Sequence, residues 1–358
     1  MSSTWKNNIE LTIFGESHGP VVGITLGNLP SGIVLDENLI RMEMQRRRPG
    51  YDRNTTPRKE SDQVDIVSGV LDGVTTGAPL TAIIKNENID SNAYLSLATT
   101  MRPGHSDYPA HVKYQGYNDI RGGGHFSGRL TAPLVFAGAI AKQILASHSI
   151  VIGAHIKQMH QICDSSFASD VSNETLQSLH KQTYPVLDPT IIPNLLQCVQ
   201  DAKEQGESVG GRIECAICGV PAGLGDPFFS SIESQLSSLL FSVPAVKSVS
   251  FGNEKISELY GSQANDSYYY DVNKQVKTRS NHNGGIIGGI STGMPIVFTV
   301  GIKPTASIAK RQQTIHITEC ENTEIALRGR HDPCIVIRAI AVIEAMAAIT
   351  MLDFMRYI

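Results

Sequence analysis

No Gly-Lys pair occurs anywhere in the 358 residues of this chain, and that absence alone removes the Walker A phosphate loop. The amino-terminal MSSTWKNNIE lacks the charged-then-apolar pattern of a secretory signal. No stretch of 18 apolar residues runs without a Gly, Lys or polar side chain to break it. The expectation is a soluble, cytoplasmic protein with no membrane partner. Charge of neither sign dominates: 30 Lys and Arg stand against 34 Asp and Glu, for a formal net charge of −4. Such a balance argues against a general nucleic-acid or membrane-surface binder, so any anionic ligand must be held by local clusters of Arg and Lys. Cysteine is scarce and scattered, six in all, too few for a disulfide framework. Cys215 and Cys218 form a C-x-x-C, but inside the strand-like RIECAICGV. Residues three apart on a strand face opposite sides, and no second Cys/His pair follows, so reduced, buried thiols are expected and no metal site. Repeats, low-complexity blocks and Pro/Ser-rich linkers are also missing. The length is sufficient for a large core, read as a single domain over residues 1–358.

What is present is a mixture of strand and helix periodicities without strict alternation. Strands are expected at 9–14, 21–26, 63–71, 80–85, 151–158, 212–220, 247–251 and 295–301. Helices are expected at 36–47, 130–147, 193–205, 229–241 and 336–355. Asp36 is placed to cap the first helix and Gly206 to end the third. This pattern predicts an α+β or layered α/β architecture. Between the elements lie long stretches rich in Gly, Pro, His, Arg and Asn, at 46–57, 91–119, 278–293 and 305–333. Loops this long in a compact protein are usually functional.

The most informative of these stretches is RGGGHFSGR, residues 121–129. Three consecutive glycines, each costing about 1 kcal/mol against Ala in a regular element, belong where backbone turns sharply or approaches a ligand. Arg121, His125, Ser127 and Arg129 are donors suited to an oxyanion. The apolar run after Arg129 predicts a buried helix whose start points at the loop. A dinucleotide fingerprint fails here, because Ser127 holds the third glycine position and no Asp or Glu occurs between Arg129 and Asp164.

Other stretches carry similar chemistry. FGESHGP sets His18 on a strand-end loop, where an imidazole can donate to a leaving phosphate or accept a proton. QRRRPGYDRNTTPRK supplies Arg46, Arg47, Arg48, Arg53, Arg58 and Lys59, a cluster able to grip phosphate and carboxylate bidentately. Only Tyr51 is there for base stacking, which disfavours nucleic acid. In RPGHSDYPAHVKY, Asp107 is placed to orient His105 and keep it basic. Gly284, Gly285, Gly288 and Gly289 offer backbone to a flat ligand, and KPTAS, residues 303–307, offers an ammonium and two hydroxyls to a phosphate tail. GRHDPC places Asp332 near Arg328 and Arg330, which predicts an ionised carboxylate. From the residues alone three readings stand: a phosphate-eliminating enzyme, a phosphosugar isomerase or related phosphate-ester enzyme, and a non-catalytic flavin or nucleotide binder.

FGESHG, RRRPG, RPGHSDY, RGGG…SGR, NHNGGIIGGIS, KPTAS and GRHDPC, in this order, resemble the chorismate synthase family over nearly the whole chain. His125-Phe126 stands where Arg-Ser is common in that family, and Leu130 where Glu is common. The resemblance implies a layered β-α-β sandwich of the chorismate synthase type, assembled as a homotetramer. It implies a carbon–oxygen lyase acting on a phosphate, which removes phosphate from 5-enolpyruvylshikimate 3-phosphate by 1,4-anti elimination to give chorismate. The cofactor it implies is reduced FMN (FMNH2), with NADPH or an external reductant keeping it reduced; no reductase domain is recognisable, so external reduction is the expectation. By resemblance His18, His105 and Asp332 are catalytic, and Arg47, Arg53 and Arg129 hold the substrate or NADPH. The flavin contacts carry over to His125, Phe126, Ser127, Pro244, Ala245, Gly288, Lys303, Pro304, Thr305, Ala306, Ser307 and Arg330.

Overall fold

The computed structural model describes residues 3–48, 60–87, 97–327 and 332–355. Eight α-helices are seen among them: α1 Glu37–Arg47, α2 Asp107–Lys113, α3 Thr131–Ser147, α4 Asn173–His180, α5 Ile192–Glu204, α6 Ile232–Ser242, α7 Gly261–Ala264 and α8 Val336–Met355. Local chemistry sets their ends. The Asp36 carboxylate accepts from the N–H groups of Asn38 and Leu39, at 2.8 and 3.2 Å, and so satisfies two donors that α1 itself cannot. At the far end of α5, Gly206 turns left-handed at φ +67. The N–H of Glu207 then closes on the Ala202 carbonyl at 2.8 Å.

Two five-stranded antiparallel sheets form the outer layers. The first runs Thr4–Lys6, Glu10–Gly15, Val21–Gly27, Leu80–Lys85, Val64–Ser68. The second runs Val246–Phe251, Ile296–Ile302, Gly211–Cys218, Val151–Met159, Ile162–Cys163. Between them lie α3 and α8, packed on each other, with α3 against the first sheet and α8 against the second. Both helices are apolar on nearly every face and buried to match. A Cβ on Gly138 would fall 2.2 Å from the Cβ of Ala345, so the two helix backbones touch where glycine permits it. This is the layered β-α-β arrangement that the family likeness implied. The helix segment Gly128–Ser147 is long and apolar enough to cross a membrane, but 78% of its apolar window is buried inside the protein.

All eight expected strands and all five expected helices are present, with shifts of a few residues at their ends. The expected strand over 63–71 breaks at Gly69, whose φ is +85. The expected helix from 229 begins instead at Ile232, because Ser231 caps it by accepting from the Ser234 N–H at 3.0 Å. Three stretches read as loops hold regular structure: α2 lies within 91–119, the hairpin Ile286–Ile287 with Ile290–Ser291 within 278–293, and the hairpin Gln312–His316 with Glu321–Ile325 within 305–333.

Candidate functional site

The glycine loop and the FGESHGP turn form one unit. Gly122, Gly123 and Gly124 all have positive φ, at 60, 84 and 54. A Cβ on Gly122 would fall 2.4 Å from Cδ2 of His18 and 2.8 Å from Oγ of Ser17. The Ser17 N–H donates to the Gly124 carbonyl at 3.1 Å, which locks the two loops together. His18 is thus buried directly beneath glycine backbone. The Ser17 hydroxyl, fully buried beside it, has no hydrogen-bond partner among the described residues.

A second unit joins RPGHSDY to KPTAS. His105 Nδ1 lies 2.6 Å from Asp107 Oδ1, and Arg102 donates to the same carboxylate through Nε at 2.6 Å and NH2 at 2.7 Å. Burial alone would raise the Asp107 carboxyl, but hydrogen bonds from Arg102 and His105 pull it well below the ordinary carboxylate range. An ionised Asp107 can only accept, so His105 carries its proton on Nδ1 and turns Nε2 toward Gly123. The expected orientation of His105 by Asp107 is what the geometry shows. Arg102 also donates to Ser307 Oγ at 3.1 Å, and Lys303 Nζ donates to the Gly104 carbonyl. Burial, and then the neighbouring Lys247, lower the Lys303 ammonium below its usual range.

Arg47 and Arg129, 82 positions apart in the chain, meet in a third unit. Asp62 bridges them, accepting from Arg47 NH1 at 2.9 Å through Oδ2 and from Arg129 NH1 through Oδ1. Burial pushes the Arg47 guanidinium down to about 9, with Arg338 and Arg129 adding to the effect and Asp62 opposing it; it remains charged at neutral pH. Asp62 carries no motif, and its only sequence signal is a position just ahead of a strand.

Asp332 departs from the expected setting. Arg328 and Arg330 lie outside the described residues; the cation seen on Asp332 is Arg338, one turn into α8, with NH1 at 3.0 Å. Burial outweighs that contact and raises the Asp332 carboxyl above its ordinary value; the sequence expectation was an ionised carboxylate beside Arg328 and Arg330. A solvent-poor pocket at the start of a helix was not visible in GRHDPC. The Asp332 carbonyl accepts from Thr305 Oγ1 at 3.0 Å, so this unit too is tied to KPTAS.

The units open onto one cavity of about 640 Å³. Arg47, His105, His125, Phe126, Ser127, Arg129, Pro244, Ala245, the run Lys303 to Ser307 and Asp332 all line it. His18 is not among the lining residues; it lies behind Gly122, which is. His125 lines it with both ring nitrogens already engaged, Nδ1 on the Gly15 carbonyl at 2.8 Å and Nε2 on Ser3 Oγ at 2.7 Å. Gly288 is not among the lining residues; it sits at the tip of the hairpin Ile286–Ile287 and Ile290–Ser291, beside Gly289, whose carbonyl accepts from the Ile232 N–H at 3.1 Å at the start of α6. Arg53 lies outside the described residues. Sequence reasoning left Arg338 and Asp62 unnamed and gave Arg102 no role.

Away from the cavity, Glu43, His180 and Glu344 bring ligand atoms within 4.8 Å of one another, as a metal site would. The Lys142 ammonium fills that position, 2.8 Å from Glu43 Oε2 and 2.7 Å from Glu344 Oε2. All six cysteines are free, and Cys215 and Cys218 are both buried.

Comparison with known proteins adds an independent line. A family model described as chorismate synthase matches residues 9–356. A chorismate synthase of Thermococcus gammatolerans is 44% identical over 346 residues, covering 96% of this chain and 95% of that protein. One of Dehalococcoides mccartyi is 40% identical over 354 residues, covering 99% and 96%. A crystal structure of chorismate synthase superposes with a TM-score of 0.75 at 27% identity, over 97% of this chain and 91% of that one.

Proposed function

The chain belongs to the chorismate synthase family, and from that membership we propose how its cavity serves the reaction. The activity itself follows from the family: a lyase of the shikimate pathway that eliminates phosphate from 5-enolpyruvylshikimate 3-phosphate and so forms chorismate. Its substrate is a small molecule, and the family depends on reduced flavin.

The observation that carries the reading is that five of the seven motifs, far apart in the chain, converge on one cavity. Arg47 and Arg129 bind the phosphate and carboxylates, and Arg53 joins them. His18 donates a proton to the departing phosphate oxygen. His105, with Nδ1 held by Asp107, presents Nε2 to the cofactor edge. Asp332, buried and proton-affine, takes the proton released from the ring.

A flavin fits what the cavity offers. Its volume is that of a cofactor site, and glycine backbone with Pro244 and Ala245 presents apolar surface. Phe126, Ser127, His125 and the run Lys303 to Ser307 complete the flavin contacts on this cavity, and Arg330 joins them; Gly288, away from the cavity, is left out. His125 holds its loop through Gly15 and Ser3. Reduced FMN, when bound, supplies electron density that eases loss of the allylic phosphate. NADPH, where it serves as reductant, would meet Arg47 and Arg53.

Residues 1–358 act as a single domain, since α3 and α8 are shared by both sheets. The assembly is a cytoplasmic homotetramer; support for subunit contact comes from Phe228 and Phe229, 84% and 92% exposed at the start of α6.

The deciding experiment adds substrate to enzyme carrying anaerobically reduced FMN. A flavin absorbance change with phosphate and chorismate release, and flavin still reduced afterwards, is the expected result. Stoichiometric consumption of NADPH per chorismate would overturn the reading. A phosphosugar isomerase would turn over its substrate with no flavin, and a non-catalytic binder would release no phosphate.

A further inference from the structure

Asp62 is costly where it stands. It is 3% exposed and holds φ +49, a left-handed backbone conformation that side-chain-bearing residues avoid. Burial also strips its carboxylate of water. Such a residue persists only where its surroundings over-determine it, and here they do. Each oxygen meets a different guanidinium, Oδ2 that of Arg47 and Oδ1 that of Arg129.

The remaining nitrogens of the two arginines are held mostly by neutral acceptors, with the buried Glu60 carboxylate 3.9 Å from Arg129 NH2. Arg47 donates through Nε to Thr131 Oγ1 at 3.1 Å and through NH2 to the Gly128 carbonyl at 3.0 Å. Arg129 donates through Nε to Asn86 Oδ1 at 2.8 Å and through NH2 to the Lys85 carbonyl at 3.0 Å. A guanidinium has five N–H donors, so each arginine keeps donors for a ligand while its plane is set by the protein. The shared carboxylate is what sets the two planes relative to each other. Without it, two buried like charges repel and both long side chains regain rotamer freedom.

We propose that Asp62 is a positioning residue, which fixes the separation and planes of Arg47 and Arg129 so that an anionic group of the substrate meets two preformed donors. The inference rests on the reading of those arginines as the substrate clamp. It opposes the simpler role of counter-ion. A counter-ion acts through charge alone, so its removal would leave the two cations with less compensating charge and tighten anion binding. A positioning residue acts through geometry, so its removal weakens binding even though the local charge becomes more favourable.

The test compares Asp62→Asn and Asp62→Glu with the parent enzyme by steady-state kinetics on 5-enolpyruvylshikimate 3-phosphate, with reduced FMN and melting temperature as the fold control. Both variants should raise KM about 10- to 100-fold, the range for a lost charged hydrogen bond, with kcat changing less. A normal or lowered KM in folded Asp62→Asn overturns the proposal in favour of a counter-ion. Should Asp62→Asn fail to fold, Asp62→Glu decides, because it keeps the charge and moves it by one methylene; a normal KM there also overturns the proposal. A purely structural role would lower the melting temperature and the active fraction but leave KM unchanged, which counts against positioning. Arg47→Ala and Arg129→Ala separate the two levels of inference. Normal substrate binding in both would sink the clamp itself, whereas weakened binding in them beside a normal Asp62→Asn would sink only the role of Asp62.

Discussion

At the scale of single residues, the cavity sets two of its titratable groups in different surroundings. His105 is steered by a carboxylate that Arg102 keeps ionised, whereas burial pushes Asp332 the other way against Arg338, the one arginine on it among the described residues. These opposite environments suit an imidazole that donates or stabilises and a carboxylate that accepts. Replacing His105 by Ala should lower kcat about 10²- to 10⁴-fold, the usual worth of general acid–base help, while substrate binding changes less. Asp332→Asn keeps the shape but cannot accept a proton. It should bind flavin and substrate and turn over far more slowly, as single-turnover measurements on the reduced enzyme would show. Near-normal turnover in a stable Asp332→Asn protein would remove Asp332 from the chemistry. RPGHSDY disclosed the His105–Asp107 contact because the partners are two residues apart in a tight loop. In GRHDPC the described cation on Asp332 is Arg338, brought there by α8, while Arg328 and Arg330 lie outside the described residues.

At the scale of elements, the glycine loop is a spacer that lets one loop lie against another. Any side chain at Gly122 would enter the space of His18 and Ser17, and its φ of +60 already disfavours an L residue. Gly122→Ala therefore carries about 1–2 kcal/mol of backbone strain and in addition displaces the imidazole. Activity should fall by a larger factor than stability does, and denaturant midpoints beside kcat check this. A fall in stability alone, with normal kcat in the folded fraction, would mean that the loop only closes the fold. The three glycines were legible as a close approach. What they approach was not, since the FGESHGP turn is about a hundred residues away in sequence.

At the scale of the whole molecule, charge buried outside the cavity governs how stability answers to pH. His155 is fully buried, with Nδ1 3.0 Å from Asp164 and Nε2 2.9 Å from Glu214. Lys157 lies 4.0 Å from Glu214, and Phe167 packs on the ring. Desolvation lowers the affinity of this imidazole for a proton, but the two carboxylates outweigh it and raise it above 6.5. A folded value above the unfolded one means that the charged form adds stability fully below about 6.5 and loses it as pH rises through the folded value. The stability advantage of the parent over His155→Gln should thus be larger at about pH 6 than at about pH 9 in urea unfolding. A constant difference across that range would show that His155 stays neutral. The exposed Phe228 and Phe229 predict subunit contact at the same scale, which light scattering measures directly.

The sequence by itself determined the elements of the sandwich core and the chemistry of the loops. Apolar periodicity and caps act within a dozen residues, so strands such as Val21–Gly27 and helices such as α8 could be read directly. The motif order likewise named the family, because those residue types serve one multiply charged substrate. Only the tertiary structure decided the pairings. It set Asp62 between Arg47 and Arg129, gave Arg338 to Asp332, and carried Gly288 away from the cavity that its motif companions line. Such contacts join segments brought together by packing around α3 and α8, and no local pattern in the chain encodes which partner lies across that space.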